Sequence, residues 1–226
     1  MLEDLQPLFQ QILERFDAED VDGAARLLLD RTPADVADIL RGFDHERKVA
    51  VLRLLPAEVA AAILTELDER SLPDLLDLLK DQEIVGMLDA LDSDDAADVV
   101  AQMEDDQALR VVDLLDQVDH QDAVELSELL RYPEDSAGGV MAKEFLSVNQ
   151  EHTVGKIAEG LRKLGEEELL SHQFVFVVDS AGRLLGQIPV VRVFILDPNA
   201  KAAVVMTPDP VSIEVMEDQE KVAQLF

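Results

Sequence analysis

The 226-residue chain contains no cysteine, which excludes disulfides, thiolate nucleophiles and Cys-type zinc sites and suits a reducing cytoplasm. Positive charge is scarce: 19 Lys plus Arg stand against 49 Asp plus Glu, for a formal net charge of -30. A surface of that sign repels phosphate backbones and anionic headgroups, so nucleic acid and anionic lipid are poor partners. No apolar run approaches the ~18 residues that a membrane-spanning helix requires, and the opening MLEDLQPLFQ lacks the basic and then apolar pattern of a secretory signal. As given, the chain reads as soluble. His45, His120, His152 and His172 are scattered, none paired with a Ser or Cys in a recognisable arrangement. Neither a GxGxxG fingerprint nor a GxxxxGK loop nor an EF-hand loop occurs. No enzyme is expected.

What is present is a repeat. Residues 32 to 115 divide into seven consecutive twelve-residue blocks, beginning TPADVADILRGF, DHERKVAVLRLL, PAEVAAAILTEL and ending EDDQALRVVDLL. The eighth column reads Ile39, Val51, Ile63, Leu75, Met87, Val99, Val111, and the ninth reads Leu40, Leu52, Leu64, Leu76, Leu88, Val100, Val112. Apolar positions five, eight, nine and twelve follow the i, i+3, i+4, i+7 stripe of an amphipathic helix. Helix-start residues open many blocks: Thr32 before Pro33, then Asp44, Pro56, Asp68 and Asp92. Helices this short are marginal alone in water, so each must bury its stripe on neighbours in a stacked array. A continuous coiled coil is excluded by Pro33, Pro56 and Pro73 and by a period that does not match heptads. Met87 and Met103 fall in core columns and read as packing.

After Arg131 the texture changes at Tyr132, Pro133 and the pair Gly138-Gly139. FVFVV (174–178) reads as a buried strand, DSAG (179–182) as a turn and RLLGQIP (183–189) as the returning strand, with a helix over Thr153 to Leu164. The order is strand, helix, strand, strand, helix. Val140 onward matches Val205 onward at a constant offset of 65, with Val140/Val205, Met141/Met206, Ser147/Ser212, Lys156/Lys221 and Ala158/Ala223 identical. The second copy stops at Phe226, inside what should be its first helix. The chain is thus expected to be a fragment whose residues after about Val205 are poorly ordered or borrow a partner surface.

This tandem layout, with VMT before a strand and a VVDSAGRLLG hairpin, resembles CBS domains. A short-helix array running through DSDDAADVVAQM precedes it, with RYPEDSAGGVM at the junction. That ordering is similar to the MgtE family of Mg2+ channels. The resemblance implies an α+β multidomain fold: an N-terminal all-α superhelical array of short helices (1–131), an α/β CBS domain as first motif (132–203), and the truncated start of a second CBS motif (204–226). It further implies a homodimer formed through the CBS domains, at the cytoplasmic face of the bacterial inner membrane, attached to a transmembrane domain that this chain lacks. In that family the cytosolic part senses Mg2+, its regulatory ligand and the transported ion, and closes the pore when Mg2+ is plentiful.

Residues 81 to 128 hold 16 acids and one base, Arg110. The plain reading is a solvated acidic face; the sharper one needs a cation. Asp94 and Asp98, at i, i+4 near a helix start, place two carboxylates on one face, and Asp95 points elsewhere, toward a second site. Oxygen donors without His or Cys suit a hard cation such as Mg2+ or Ca2+. Asp at a helix start equally caps the helix and complements its dipole. The resemblance makes Asp94, Asp95, Asp98 and Asp135, the last in YPEDSAGG, the metal-site candidates, with Gly138 and Gly139 letting backbone oxygens approach an ion. Mg2+ would bridge the acidic domain and the CBS domain and favour the closed state. The alternatives are an adenine-nucleotide-sensing CBS module, and an acidic helical scaffold that binds protein.

Overall fold

The computed structural model describes residues 5–68 and 70–225; of residues 166–168 it describes the backbone. The termini of the first and third expected domains, Met1 and Phe226, lie outside the described residues. The chain forms two compact units, the first ending at Lys143 and the second opening at Glu144.

The first unit contains α1 (Gln6–Asp17), α2 (Val21–Arg26), α3 (Pro33–Leu40), α4 (His45–Leu52), α5 (Ala57–Leu64), α6 (Leu72–Leu76), α7 (Asp81–Leu88), α8 (Ser93–Ala101), α9 (Asp105–Val118) and α10 (His120–Leu129). The helices α3, α4 and α5 start at residues 33, 45 and 57, and α7, α8 and α9 start at 81, 93 and 105, so the twelve-residue sequence period is the structural period. The Thr32 side chain accepts the N–H of Asp35, and Asp44 accepts that of Arg47, starting α3 and α4. In the fourth block the start slips: Asp68 holds the N–H and hydroxyl of Ser71 in a turn, and the helix opens at Leu72 with Pro73 in its first turn.

Within the repeat, helices pack mainly on their next-but-one neighbours, while α1 packs on α2 and α9 on α10. The helices α3, α5, α7 and α9 form one stack, α2, α4 and α6 form a second, and α8 continues onto α10. This alternation follows from the short turns, which send successive helices to opposite layers while their apolar stripes face one shared core. The eighth column is buried from Ile39 to Val111. In the ninth, Leu40 through Val100 are buried and Val112 is half-buried. The fifth column contains an exception to its apolar rule. Lys48 sits there, only 4% exposed, and its charge is among the influences that lower the pKa of Asp68, whose largest cause is the Ser71 hydroxyl.

The second unit holds β1 (Leu146–Asn149), α11 (Val154–Leu161), α12 (Glu166–Ser171), β2 (Phe174–Val178), β3 (Leu184–Pro189), α13 (Val190–Val193), α14 (Ala202–Val205), β4 (Thr207–Pro208) and α15 (Gln219–Ala223). Its sheet has the order β1-β2-β3-β4, with β1 parallel to β2 and the other pairs antiparallel. Parallel pairing of β1 and β2 requires a crossover, which α11 and α12 supply. One side of β2, Val175 and Val177, shares a core with Ile188 and with Val154, Ile157, Ala158 and Leu161 of α11. FVFVV is therefore buried on one face only, its alternate residues half-buried. The DSAG turn is closed by Asp179, which accepts the N–H groups of Ala181 and Arg183, and by Gly182 at φ +78°.

The two sequence copies share a helix start: Thr153 caps α11, and Asp218, 65 residues on, caps α15. They part at the strand. Residues 211–214, aligned with β1, form no strand, because β1 exists by pairing with β2 and the second copy has no such partner among the described residues. Of its first residues, Thr207 and Pro208 add an edge to β3, while α15 buries none of its side chains.

Candidate functional site

Helix α8, SDDAADVVA, buries Ala96, Ala97, Val99 and Val100, which turns its carboxylates outward. Asp94 and Asp95 lie in the first turn, where the helix dipole favours negative charge, and Asp98 follows one turn later on the face of Asp94. Asp94 is half-buried; Asp95 and Asp98 are exposed.

The segment after α10 folds back onto this helix. The N–H and hydroxyl of Ser136 both donate to the Pro133 carbonyl, at 3.0 and 2.6 Å. Gly139 donates to the Ser136 carbonyl and hydroxyl at 3.1 and 3.2 Å. Further along, the Lys143 N–H donates to Ser93 Oγ at 2.9 Å, and its ammonium pairs with Glu128 at 2.9 Å. Ala137 is buried and Met141 packs on the helical core. Residues 132–143 thus pack with the helical unit, although Tyr132 and Pro133 mark the change of sequence texture.

Between α8 and this turn is an open cleft of ≈ 230 Å³, lined by Asp98, Ala101, Tyr132, Pro133, Glu134 and Gly139 among others. A side chain at Gly139 would run into the Pro133 carbonyl oxygen and stand 2.8 Å from that of Glu134. The glycine is what lets these backbone segments approach. Of the four sequence candidates, Asp98 lines the cleft. Asp94 shares its helix face, Asp95 projects elsewhere on α8, and Asp135 is exposed on the turn beside the cleft rather than in its lining. Glu134 stands where Asp135 was expected to contribute. It was adjacent in YPED, and sequence spacing alone does not choose between two neighbouring acids in a turn.

Among the described residues, no group of three or more His, Cys, Asp or Glu forms a ready metal cage. The donors offered around the cleft are oxygens, from Asp98, Glu134 and backbone carbonyls. That set fits a hard cation that keeps much of its water, the habit of Mg2+, and does not fit zinc. The local field is strongly negative. Arg110, the one base in 81–128, is held by Asp81 at 2.9 Å, which raises its pKa. No helix among the described residues is long and apolar enough to cross a membrane.

The chain is thus a two-unit protein, an acidic repeat of short helices followed by a small β-α-β-β unit. Residues 31–135 match the family described as the MgtE intracellular N domain. The magnesium transporter MgtE of Thermus thermophilus is 34% identical over 102 residues, 45% of this chain and 22% of the transporter. That of Enterococcus faecalis is 31% identical over 104 residues, 46% of this chain and 23% of the transporter. The matched stretch therefore spans less than a quarter of these relatives. The solved cytosolic domain of the Mg2+ channel MgtE in complex with ATP superposes with a TM-score of 0.83 at 29% identity, covering 96% of this chain and 87% of that one. The fold of this chain, helical N domain and CBS unit together, is that of an MgtE cytosolic domain.

Proposed function

We propose that this chain is the cytosolic Mg2+-sensing regulatory region of a magnesium channel or transporter. Mg2+ neutralises the acidic helical unit and joins it to the CBS unit, and the joined state holds the pore of the parent protein shut. The observation that carries this reading is the oxygen-lined cleft of Asp98, Glu134 and the Gly139 turn, set in an MgtE N domain with 16 acids and one base over residues 81–128. Asp94, Asp95, Asp98 and Asp135 are the proposed ligand carboxylates, and Glu134 is added by the cleft. Without bound cations the acids repel one another; cations that bind the joined state better shift the population toward it. In the whole protein, the CBS units pair two chains and connect to the transmembrane domain.

The test is a Mg2+ titration of this chain, following melting temperature and hydrodynamic radius, with Ca2+ and NaCl of matched ionic strength as controls. A saturable rise in stability with compaction, beyond that in NaCl, supports the reading. The Asp94→Asn, Asp98→Asn double variant should lose that compaction; unchanged compaction would refute the site assignment. A second reading, adenine-nucleotide sensing, is favoured by the ATP complex of the similar MgtE cytosolic domain. ATP added without Mg2+ separates the two: a shift in melting temperature under that condition belongs to the nucleotide.

A further inference from the structure

Between residues 81 and 143 the chain carries three bases, Arg110, Arg131 and Lys143. Arg110 is engaged by Asp81, and Arg131 is exposed. Lys143 differs from both: its side chain is only 18% exposed, and the residue is fixed at both ends. Its N–H is tied to Ser93, the first residue of α8, and its ammonium pairs with Glu128 of α10 at 2.9 Å.

Both anchors border the α8 cleft. Leu129 and Leu130, which follow Glu128, line it. Asp98, on the opposite wall, lies about 7.5 Å along the α8 axis from Ser93. A fixed positive charge at this range acts against a bound divalent cation. In water, a unit and a double charge about 10 Å apart change an affinity by about fourfold, and by more where the protein lowers the dielectric. An exposed lysine can swing its flexible stem away from an arriving cation. The ammonium of Lys143, held by Glu128, stays where it repels.

We propose that Lys143 is a built-in counter-cation that sets the Mg2+ threshold of the α8 cleft. It supplies part of the neutralisation that the acidic helices need, and it makes Mg2+ bind more weakly than the same carboxylates would without it. The inference rests on the reading of that cleft as a Mg2+ site.

The test is a MgCl2 titration of the full chain and its variants. The readout is the Mg2+ concentration needed for a fixed rise in melting temperature above each variant's own Mg2+-free value. Ionic strength is held at about 30 mM by exchanging NaCl for MgCl2. Lys143→Gln keeps a side chain that can donate to Glu128 and removes the charge, so its Mg2+ requirement should fall by about three- to fivefold. Glu128→Gln leaves the ammonium without its counter-charge and should raise the requirement by about the same factor. The double variant, which has the net charge of the wild type, should return to within about twofold of it, as should Lys143→Arg. At about 300 mM ionic strength the effect of Lys143→Gln should shrink below about twofold. A merely structural Lys143 gives another pattern, in which both single variants raise the requirement and salt leaves the difference unchanged. A requirement in Lys143→Gln equal to or above that of the wild type, or single variants that shift it in the same direction, overturns the proposal. A wild type with no Mg2+ response beyond that in NaCl overturns the Mg2+ reading itself, and this inference with it.

Discussion

Arg53, one residue beyond α4, forks onto both carboxylate oxygens of Glu83 in α7, with Nε 2.8 Å from Oε1 and Nη2 3.0 Å from Oε2. The two helices belong to different stacks, so the pair ties one layer of the array to the other. Nη2 also donates to the Leu78 carbonyl at 3.1 Å, and Glu83 accepts the Lys80 N–H at 2.9 Å, closing the start of α7. Glu83 thus serves a cross-layer bridge and a helix cap. Glu83→Ala removes both and should cost roughly 1–2 kcal/mol in urea unfolding, while Arg53→Ala, at a 40% exposed side chain, should cost about 0.5–1 kcal/mol. A double-mutant cycle with no coupling would deny the bridge.

The same pair sets a pH dependence. The Arg53 guanidinium holds the Glu83 carboxyl below its ordinary value of 4.5. A carboxyl depressed in the folded state contributes stability that is present above the unfolded pKa and is lost as pH falls through the folded pKa. The stability gap between the wild type and Glu83→Gln should therefore be constant near neutral pH and narrow as pH drops below 4.5. Acid also relieves the repulsion of 49 carboxylates, and taking the gap between two nearly isoelectric proteins cancels most of that effect. A gap unchanged from pH 7 to about pH 3 would deny the shift.

Much of the helical unit is legible in the sequence because a strict period writes one instruction many times. Ile39, Ile63 and Leu75 occupy the same column and are all fully buried. The pattern covers residues 32–115, so α1, α2 and α10 fall outside it, and the late start of α6 depends on the Asp68–Ser71 turn, a side-chain contact that periodicity does not encode. In the second unit, β2, β3 and α11 are legible from apolar runs and turn residues. That the second copy does not complete its sheet follows from its early stop, but the edge that Thr207 and Pro208 add to β3 is not legible, since a strand depends on its partner rather than on its own residues. The shared face of Asp94 and Asp98 on α8 was legible from their spacing. The place of Glu134 in the cleft lining beside Asp98 was not, because it follows from how the Ser136 turn folds back.

The repeat makes a sharp mutational contrast within one block. Leu76, in the ninth column, is fully buried, and Leu78, two residues later, is 44% exposed. Leu76→Ala should cost roughly 2–5 kcal/mol and Leu78→Ala under about 1 kcal/mol, read by chemical denaturation. Similar costs would mean that the helices do not face the core in the phase described.

Two glycines of the helical unit should respond to alanine with opposite signs. At Gly86 the added methyl meets nothing and the helix gains, so Gly86→Ala should stabilise by about 0.5–1 kcal/mol. At Gly139 it runs into backbone oxygens of Pro133 and Glu134, groups that cannot rotate away as a side-chain end can. Gly139→Ala should therefore destabilise by roughly 1–3 kcal/mol and displace the turn that lines the Asp98 cleft. If that cleft binds Mg2+, the variant should also show a weaker Mg2+-induced rise in melting temperature than the wild type. A Gly139→Ala protein that is destabilised but keeps the full Mg2+ increment would separate the turn from the cation and move the binding carboxylates away from Asp98 and Glu134, onto the Asp94 and Asp95 end of α8.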